Sequence, residues 1–188
     1  MTRRAMLLLV AMGMALAASI TCAENPCLGT SDPDVIDGTN DAETIKALAS
    51  NDVVAAYSGN DTVYGNEGND FVHGFGGNDT IYGGPDGDGT ADGTGFGYLN
   101  LEGGQDSDKI YGGGGNDYID AAFNDIPEQF PTAEPVDRSY GGRGNDVIEA
   151  RDGNKDIISC GRGEDVVYVD FEEDRKHINY KTCELAIL

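Results

Sequence analysis

The sequence predicts an all-β fold, a right-handed parallel β-solenoid or β-roll in which two nine-residue repeats make each coil. An acid returns every nine residues, an aliphatic residue follows it two positions later, and glycine-rich turns separate the units. In the stretch YSGNDTVYGNEGNDFVHGFGGNDTIYGG these residues are Asp61, Asp70 and Asp79, followed by Val63, Val72 and Ile81. A helix would place aliphatic residues nine apart on opposite sides, whereas short strands joined by tight turns can bury all of them.

The nine-residue period is interrupted twice along the chain. Its acids stand at positions 34, 43, 52, 61, 70, 79, 88, 108, 117, 137, 146, 156 and 165. Two steps, from Asp88 to Asp108 and from Asp117 to Asp137, are 20 residues long, and their extra residues have the composition of loops. We therefore predict loop insertions near 89–99 and 121–136, with Asn100-Leu101-Glu102 as the strand that belongs to Asp88.

The residue after each acid tests whether two units make one coil. When the units are numbered along the chain with Asp34 in the first, this residue is mostly apolar in odd-numbered units and mostly polar in even-numbered units. These residues are Val35, Val53, Phe71, Tyr118, Val147 and Val166 in odd units and Thr44, Thr62, Thr80, Lys109 and Arg138 in even units, with Ile157 as the exception. Even units also carry Tyr64, Tyr82, Tyr111 and Tyr140 at the strand end. Alternate units therefore share a face, and the tyrosines form either a packing ladder or a platform for a sugar or protein partner.

The charge of the chain narrows the class of ligand. With 34 Asp and Glu against 12 Lys and Arg, the formal net charge is −22. This balance argues against binding to nucleic acid or an anionic membrane and favours cations. Parallel coils stack about 4.8 Å apart, so acids 18 residues apart repel one another unless a cation lies between them. Ca²⁺ suits such a position because it accepts several oxygens in flexible geometry, whereas zinc prefers clustered His and Cys.

Units such as GNEGNDFVH, GFGGNDTIY, GGGGNDYID and GGRGNDVIE resemble the RTX, or haemolysin-type, calcium-binding nonapeptide repeat. The resemblance covers residues 29–168 and implies a β-roll with several Ca²⁺ ions, each between an Asp and its equivalent one coil away. The implied ligands are Asp34, Asp52, Asp70, Asp88, Asp117, Asp146 and Asp165 on one edge, and Asp61, Asp79, Asp108 and Asp156 on the other. Glu43 and the turns that lack glycine two residues before the acid depart from the pattern, and imply weak or empty sites there.

The first 23 residues have the composition of a secretory signal peptide. Arg3 and Arg4 precede an apolar run, and Thr21-Cys22-Ala23 offers small residues for cleavage before Glu24. A membrane anchor and a lipoprotein modified at Cys22 are the alternatives.

Export makes the three remaining cysteines candidates for disulfides. We predict a Cys160–Cys183 bridge that pins the C-terminal tail, with Cys27 free or paired elsewhere. Unpaired buried thiols are the alternative.

These features predict a secreted, calcium-binding β-roll that folds when Ca²⁺ binds between its coils and serves extracellular or surface association. The roll spans residues 24–168, residues 169–188 form a C-terminal cap or tail, and the mature chain has no membrane span. A polysaccharide or protein partner is left open. No nucleophile with a neighbouring base is visible, so we predict no enzyme activity. The alternative is a calcium-dependent enzyme acting on polysaccharide, with Lys109 and Arg138 as basic residues on the even face.

Overall fold

A computed structural model of the protein describes residues 17–88, 100–122, 136–151, 153–169, 183 and 185–187. The first eight strands are β1 (Ala18–Thr21), β2 (Cys27–Leu28), β3 (Asp34–Asp37), β4 (Thr44–Ala49), β5 (Val53–Ala55), β6 (Thr62–Glu67), β7 (Phe71–Gly76) and β8 (Thr80–Gly84). The following strands are β9 (Leu101–Gln105), β10 (Lys109–Gly114), β11 (Tyr118–Asp120), β12 (Arg138–Arg143), β13 (Val147–Ala150), β14 (Ile157–Arg162), β15 (Val166–Val169) and β16 (Leu185–Ile187). Among these described residues there is no helix, so none that is long and apolar enough to cross a membrane. The predicted all-β fold is confirmed.

The strands form two parallel sheets, and consecutive strands from β1 to β15 alternate between them. Sheet A contains the odd-numbered strands and β16, and sheet B contains the even-numbered strands from β2 to β14. Residues 18 apart are partners, such as Val63 with Ile81 in sheet B and Val54 with Val72 in sheet A. One coil is therefore one strand of each sheet plus two turns, as the two-unit repeat predicts.

The two interruptions leave the pairing register intact. Val72 pairs with Leu101, and Ile110 pairs with Ser139, so each insertion adds 11 residues to a regular coil of 18. Strand β9 confirms the strand predicted for Asp88, and β12 confirms the unit of Asp137. The predicted insertions themselves lie largely outside the described residues, at 89–99 and 123–135.

A row of large aliphatic side chains, contributed by most of the strands, fills a narrow core between the sheets. The side chains of this row are at most 1% exposed. They are Ile36, Ile45, Val54, Val63, Val72, Ile81, Leu101, Ile110, Ile119, Ile148, Ile158 and Val167. Full burial of such a side chain contributes about 1.5–3 kcal/mol. Ser139 takes the same place in β12, where its hydroxyl is buried without a hydrogen-bond partner. A second inward position adds mostly small residues, such as Ala47, Ala150 and Cys160, so the core stays narrow and the turns have to contribute to stability as well.

Disulfides close both ends of this core. The predicted Cys160–Cys183 bridge is confirmed, and β16 adds a last strand to sheet A beside β15. Residues 170–182 of the predicted cap lie outside the described residues. At the other end Cys27 pairs with Cys22, which the sequence pattern assigned to the signal peptide. All four cysteines belong to the hydrophobic core cluster, so a covalent cross-link covers each open end.

The four even-unit tyrosines stack face to face on the outside of sheet B. The ring centroids are 4.9 Å apart from Tyr64 to Tyr82, 4.9 Å from Tyr82 to Tyr111 and 4.7 Å from Tyr111 to Tyr140. Because the ring faces cover one another, the ladder presents mainly ring edges and hydroxyls to solvent. This arrangement favours the packing role over a platform that needs open ring faces.

Candidate metal sites at the two edges of the roll

A row of buried acids follows each edge of the roll, where the chain turns from one sheet to the other. The first edge carries Asp34, Asp52, Asp70, Asp88, Asp117, Asp146 and Asp165, and the second carries Glu43, Asp61, Asp79, Asp108, Asp137 and Asp156, all at most 9% exposed. The structure thus groups the sequence-predicted residues into the two expected rows. It adds Asp137, which the predicted ligand set left out because Ser139 occupies its aliphatic position.

One oxygen of most carboxylates in a row serves the neighbouring backbone. From Asp34 to Asp146 on the first edge and from Glu43 to Asp137 on the second, the N–H of each acid donates to Oδ1 of the acid one coil later. Examples are the bonds from Asp61 to Asp79 at 2.8 Å and from Asp70 to Asp88 at 2.8 Å. The bond also crosses the first insertion, from Asp79 to Asp108 at 2.7 Å. A buried N–H needs an acceptor, so the recurring acid satisfies the backbone of the coil before it. This structural role was not predicted from the sequence, although the fixed place of the acid just before each strand is its signal.

The second carboxylate oxygen, Oδ2, has no hydrogen-bond partner in most residues of the two rows. Oδ2 is buried without a hydrogen bond in nine residues, which are Asp52, Asp61, Asp70, Asp79, Asp88, Asp108, Asp117, Asp146 and Asp165. A buried carboxylate oxygen without a donor costs several kcal/mol, and ionised groups cost most. Nine repeats of the same unsatisfied atom fit a bound cation.

Burial also changes the proton affinity of these acids. Desolvation raises the pKa of Asp88 and Asp108 to about 8, of Asp52, Asp79 and Asp117 to about 7, and of Asp61, Asp70 and Asp146 to about 6. The backbone N–H bonds oppose the rise in pKa, and neighbouring acids reinforce it. Without a cation, several of these side chains would therefore hold a proton near neutral pH, and a dication would displace those protons.

Glycine at the start of the turn makes room for Oδ2. A Cβ on Gly65 would lie 2.4 Å from Asp70 Oδ2 and 2.6 Å from the carbonyl oxygen of Gly83 in the next coil. The same conflict arises between a Cβ on Gly74 and Asp79 Oδ2, at 2.3 Å. Carboxylate and carbonyl oxygens thus border one small space that a side chain would fill, and oxygens of these two types are the ligands Ca²⁺ prefers.

The backbone conformation four residues before the acid distinguishes these nine turns from the first turn on each edge. It has a positive φ in all nine, at Leu48, Tyr57, Asn66, Phe75, Gly84, Gly104, Gly113, Gly142 and Gly161. Five of the nine are glycines, but Leu48 at 88°, Tyr57 at 77° and Phe75 at 77° are not. A left-handed conformation costs such residues about 1–2 kcal/mol. A costly conformation kept on both edges indicates a functional constraint on the turn.

The first turn on each edge is built differently. Thr30 donates to Asp34 Oδ2 from its backbone N–H at 2.6 Å and from its hydroxyl at 3.0 Å. Thr39 donates from its N–H to Glu43 Oε2 at 2.9 Å, and its hydroxyl bonds Oε1. Neither threonine has a positive φ. Asp34 Oδ1 has no donor, since Asp34 begins its row. These two turns satisfy carboxylate oxygens from within the chain, which is consistent with the weak or empty sites that the departures from the repeat pattern imply there.

Asparagine residues directly before several acids form a second ladder. The N–H of Asn69 donates to Asn51 Oδ1 at 3.0 Å, and that of Asn145 donates to Asn116 Oδ1 at 2.8 Å. Here the donor belongs to the later coil, whereas in the acid rows it belongs to the earlier one. Where an asparagine precedes the acid, the two ladders therefore tie the turn to both of its neighbours. The recurring Asn-Asp pair was the sequence signal for this role, which the predictions missed.

The way the acids are spread along the edges limits the kind of ion they could hold. Within the described ranges, no three His, Cys, Asp or Glu side chains converge on a point that could hold a metal ion. An ion at an edge would therefore need backbone carbonyls beside one or two carboxylates. That mixture suits Ca²⁺ and does not suit zinc.

Comparison with protein families agrees with this geometry. The family model for the RTX calcium-binding nonapeptide repeat (4 copies) matches residues 28–63, 37–72, 56–89, 100–125 and 136–167. The chain belongs to this RTX family. The matched residues make up well over half of the chain and include every acid of both rows, and the gaps fall at the two insertions. None of the curated proteins compared with the chain matches it. The RTX repeats imply calcium binding by the roll.

Proposed function

We propose that this RTX protein is exported and that its roll winds when Ca²⁺ ions bind between successive coils. The observation that carries the proposal is the set of nine buried Oδ2 atoms without a partner. Without the ion, these acids are desolvated and repel their neighbours along each edge. With it, each unpartnered oxygen gains a ligand bond, so that the free energy of binding becomes free energy of folding.

The proposed ligands are the row acids together with turn carbonyls. They are Asp52, Asp61, Asp70, Asp79, Asp88, Asp108, Asp117, Asp146, Asp156 and Asp165, with Asp34 as a weaker member of the set. We rank Asp34 lower because Thr30 already donates to its Oδ2. The bound ion would supply positive charge at the edge, and the row acids and turn carbonyls would fix its position.

An extracellular location suits this mechanism. Two disulfides fit an oxidising compartment. Extracellular calcium modules typically bind Ca²⁺ at about 10⁻⁴–10⁻³ M, so the chain would stay unwound inside the cell and wind outside it. The proposal assigns the roll a binding role and no catalysis.

The outer face of sheet B is our candidate surface for extracellular association. The positions flanking its buried aliphatic residues carry Lys46, Lys109 and Arg138 and, in the described strands, no acid. In a chain of net charge −22 this is a face that an acidic polysaccharide can approach. Co-sedimentation with an acidic and a neutral polysaccharide tests it. Loss of selective binding in a Lys109→Ala/Arg138→Ala variant is expected, and equal binding of both polymers by the wild type would contradict it.

Circular dichroism in EDTA and during addition of CaCl₂ tests the winding itself. At pH 9, above the raised pKa values of the row acids, we expect little strand signal in EDTA and a cooperative gain at millimolar Ca²⁺. An EDTA spectrum identical to the calcium spectrum, or an equal gain with MgCl₂, would contradict the proposal. An Asp70→Asn/Asp79→Asn variant should require more Ca²⁺. The matched control is Asp32→Asn/Asp41→Asn, which removes the same charge from exposed turn positions and should leave the midpoint unchanged.

A further inference from the structure

We infer that a signal peptidase cleaves this chain between Ala17 and Ala18, so that the secreted protein begins with strand β1. The inference rests on the proposed export and assigns the processing site within it. The sequence pattern alone pointed to a cut six residues later, after Ala23.

Strand β1 is an integral part of the first coil. It pairs with β3 in parallel register over its whole length. Its ends are tied by hydrogen bonds from Ala18 N–H to the Pro33 carbonyl at 3.1 Å and from Cys22 N–H to the Asp37 carbonyl at 2.8 Å. Ile20 packs against the hydrophobic core. The later cut would remove this strand and open the N-terminal end of the core to water.

The cysteines give the second, independent constraint. Cys22 and Cys27 are 6% and 4% exposed and form a disulfide. With Cys22 kept, all four cysteines pair and none is free. A cut after Ala23 would leave Cys27 as a buried thiol without its partner in an oxidising compartment. Acylation of Cys22 in a lipoprotein would consume the same thiol, so it conflicts with the disulfide as well.

The residues before β1 match what the peptidase recognises. Signal peptidases prefer small residues at the first and third positions before the cut, as in A-x-A. Ala15-Leu16-Ala17 is such a site, and it follows the basic start and the apolar run of the leader. The reaction is hydrolysis: one water is consumed, and the Ala17–Ala18 peptide bond yields a carboxylate on Ala17 and an amino group on Ala18.

N-terminal sequencing and intact mass of the exported full-length chain test the site. We expect Ala18 as the first residue and a mass for residues 18–188 that is lower by the four hydrogens of two disulfides, with no reaction toward a thiol reagent. A first residue of Glu24 with one reactive thiol, or a lipid mass on Cys22, would overturn the inference while leaving export intact. A chain retained in the cell with its leader attached would overturn export and the inference together.

Two variants place the same bulky side chain at the two competing sites. Ala17→Phe should abolish the Ala18 N-terminus, because phenylalanine does not fit the position before the cut. Ala23→Phe should be processed like the wild type, since Ala23 is exposed and lies outside the proposed site. A changed N-terminus in Ala23→Phe, or an unchanged one in Ala17→Phe, would overturn the assignment.

Discussion

The first turn on each edge and the nine later turns satisfy a buried acid in different ways. In the first coil Thr30 and Thr39 donate to Asp34 and Glu43, so the chain supplies the partner itself. In the later turns a residue with positive φ stands where the threonine would be, and Oδ2 has no donor. The acid alone therefore does not define an ion site. The residue four positions before it distinguishes a turn that supplies its own donor to the acid from a turn that leaves Oδ2 without a partner.

A change of pH in EDTA should have the largest effect, because it acts on many later turns at once. Folding raises the pKa of these acids from 3.8 to between about 6 and 8. The ion-free folded chain therefore binds more protons than the unfolded chain. The stability that these extra protons give to the ion-free folded chain is fully present below about pH 4. It is lost as the pH rises through the pKa values of the folded state.

Circular dichroism of the ion-free protein checks this sign. We expect more strand signal near pH 5 than near pH 9, about one unit or more either side of the raised pKa values. With saturating Ca²⁺ the strand signal should persist at the higher pH, because the ion replaces the protons. A stronger strand signal at the higher pH in EDTA would show that the later turns are not stabilised by neutralising their acids.

The disulfides come next in expected effect, since they hold the ends without any ion. On the chain-entropy model the bridge Cys160–Cys183, 23 residues apart, contributes about 3–4 kcal/mol, and Cys22–Cys27, 5 residues apart, contributes about 2 kcal/mol. Urea unfolding of Cys160→Ser/Cys183→Ser and Cys22→Ser/Cys27→Ser in saturating Ca²⁺ measures both losses. Unchanged unfolding free energies would mean that the ends are closed by other contacts.

Replacement of the threonine in the first turn should have the smallest effect. Thr30→Val removes the hydroxyl that donates to Asp34, at a cost of about 1–2 kcal/mol in the free energy of unfolding. Thr30→Ser keeps the hydroxyl and should lose much less. Urea unfolding at saturating Ca²⁺ compares the two variants. If they are equally destabilised, the hydroxyl is not the partner that makes this turn self-sufficient.

The parts of the fold that repeat locally could be predicted from the sequence. Strand pairing followed from the period because each unit carries its own aliphatic residue and turn, and even the displaced strand at Leu101 could be found by counting. The two rows of acids at the edges could be predicted from the period for the same reason. The division of each carboxylate into a bonded Oδ1 and an unpartnered Oδ2 could not be predicted, because it depends on the register between coils.

The N-terminal end could not be predicted because two signals overlap there. Ile20 continues the apolar run of the leader and also packs against the core, so hydrophobicity alone does not separate leader from strand. Cys22 stood inside the predicted signal peptide, which left an odd number of cysteines and hid its bond to Cys27. Asp137 was left out of the ligand set because Ser139 replaced the aliphatic residue that marks a unit.

A count of bound Ca²⁺ by equilibrium dialysis tests most directly whether the later turns hold ions more strongly than the first turns. The wild type is compared with Asp70→Asn/Asp79→Asn and with Asp34→Asn/Glu43→Gln, which remove equal charge from later and first turns. We predict that the wild type binds several ions, that the later-turn variant binds fewer, and that the first-turn variant loses fewer ions than the later-turn variant. Equal losses, or a larger loss from the first-turn variant, would contradict the account.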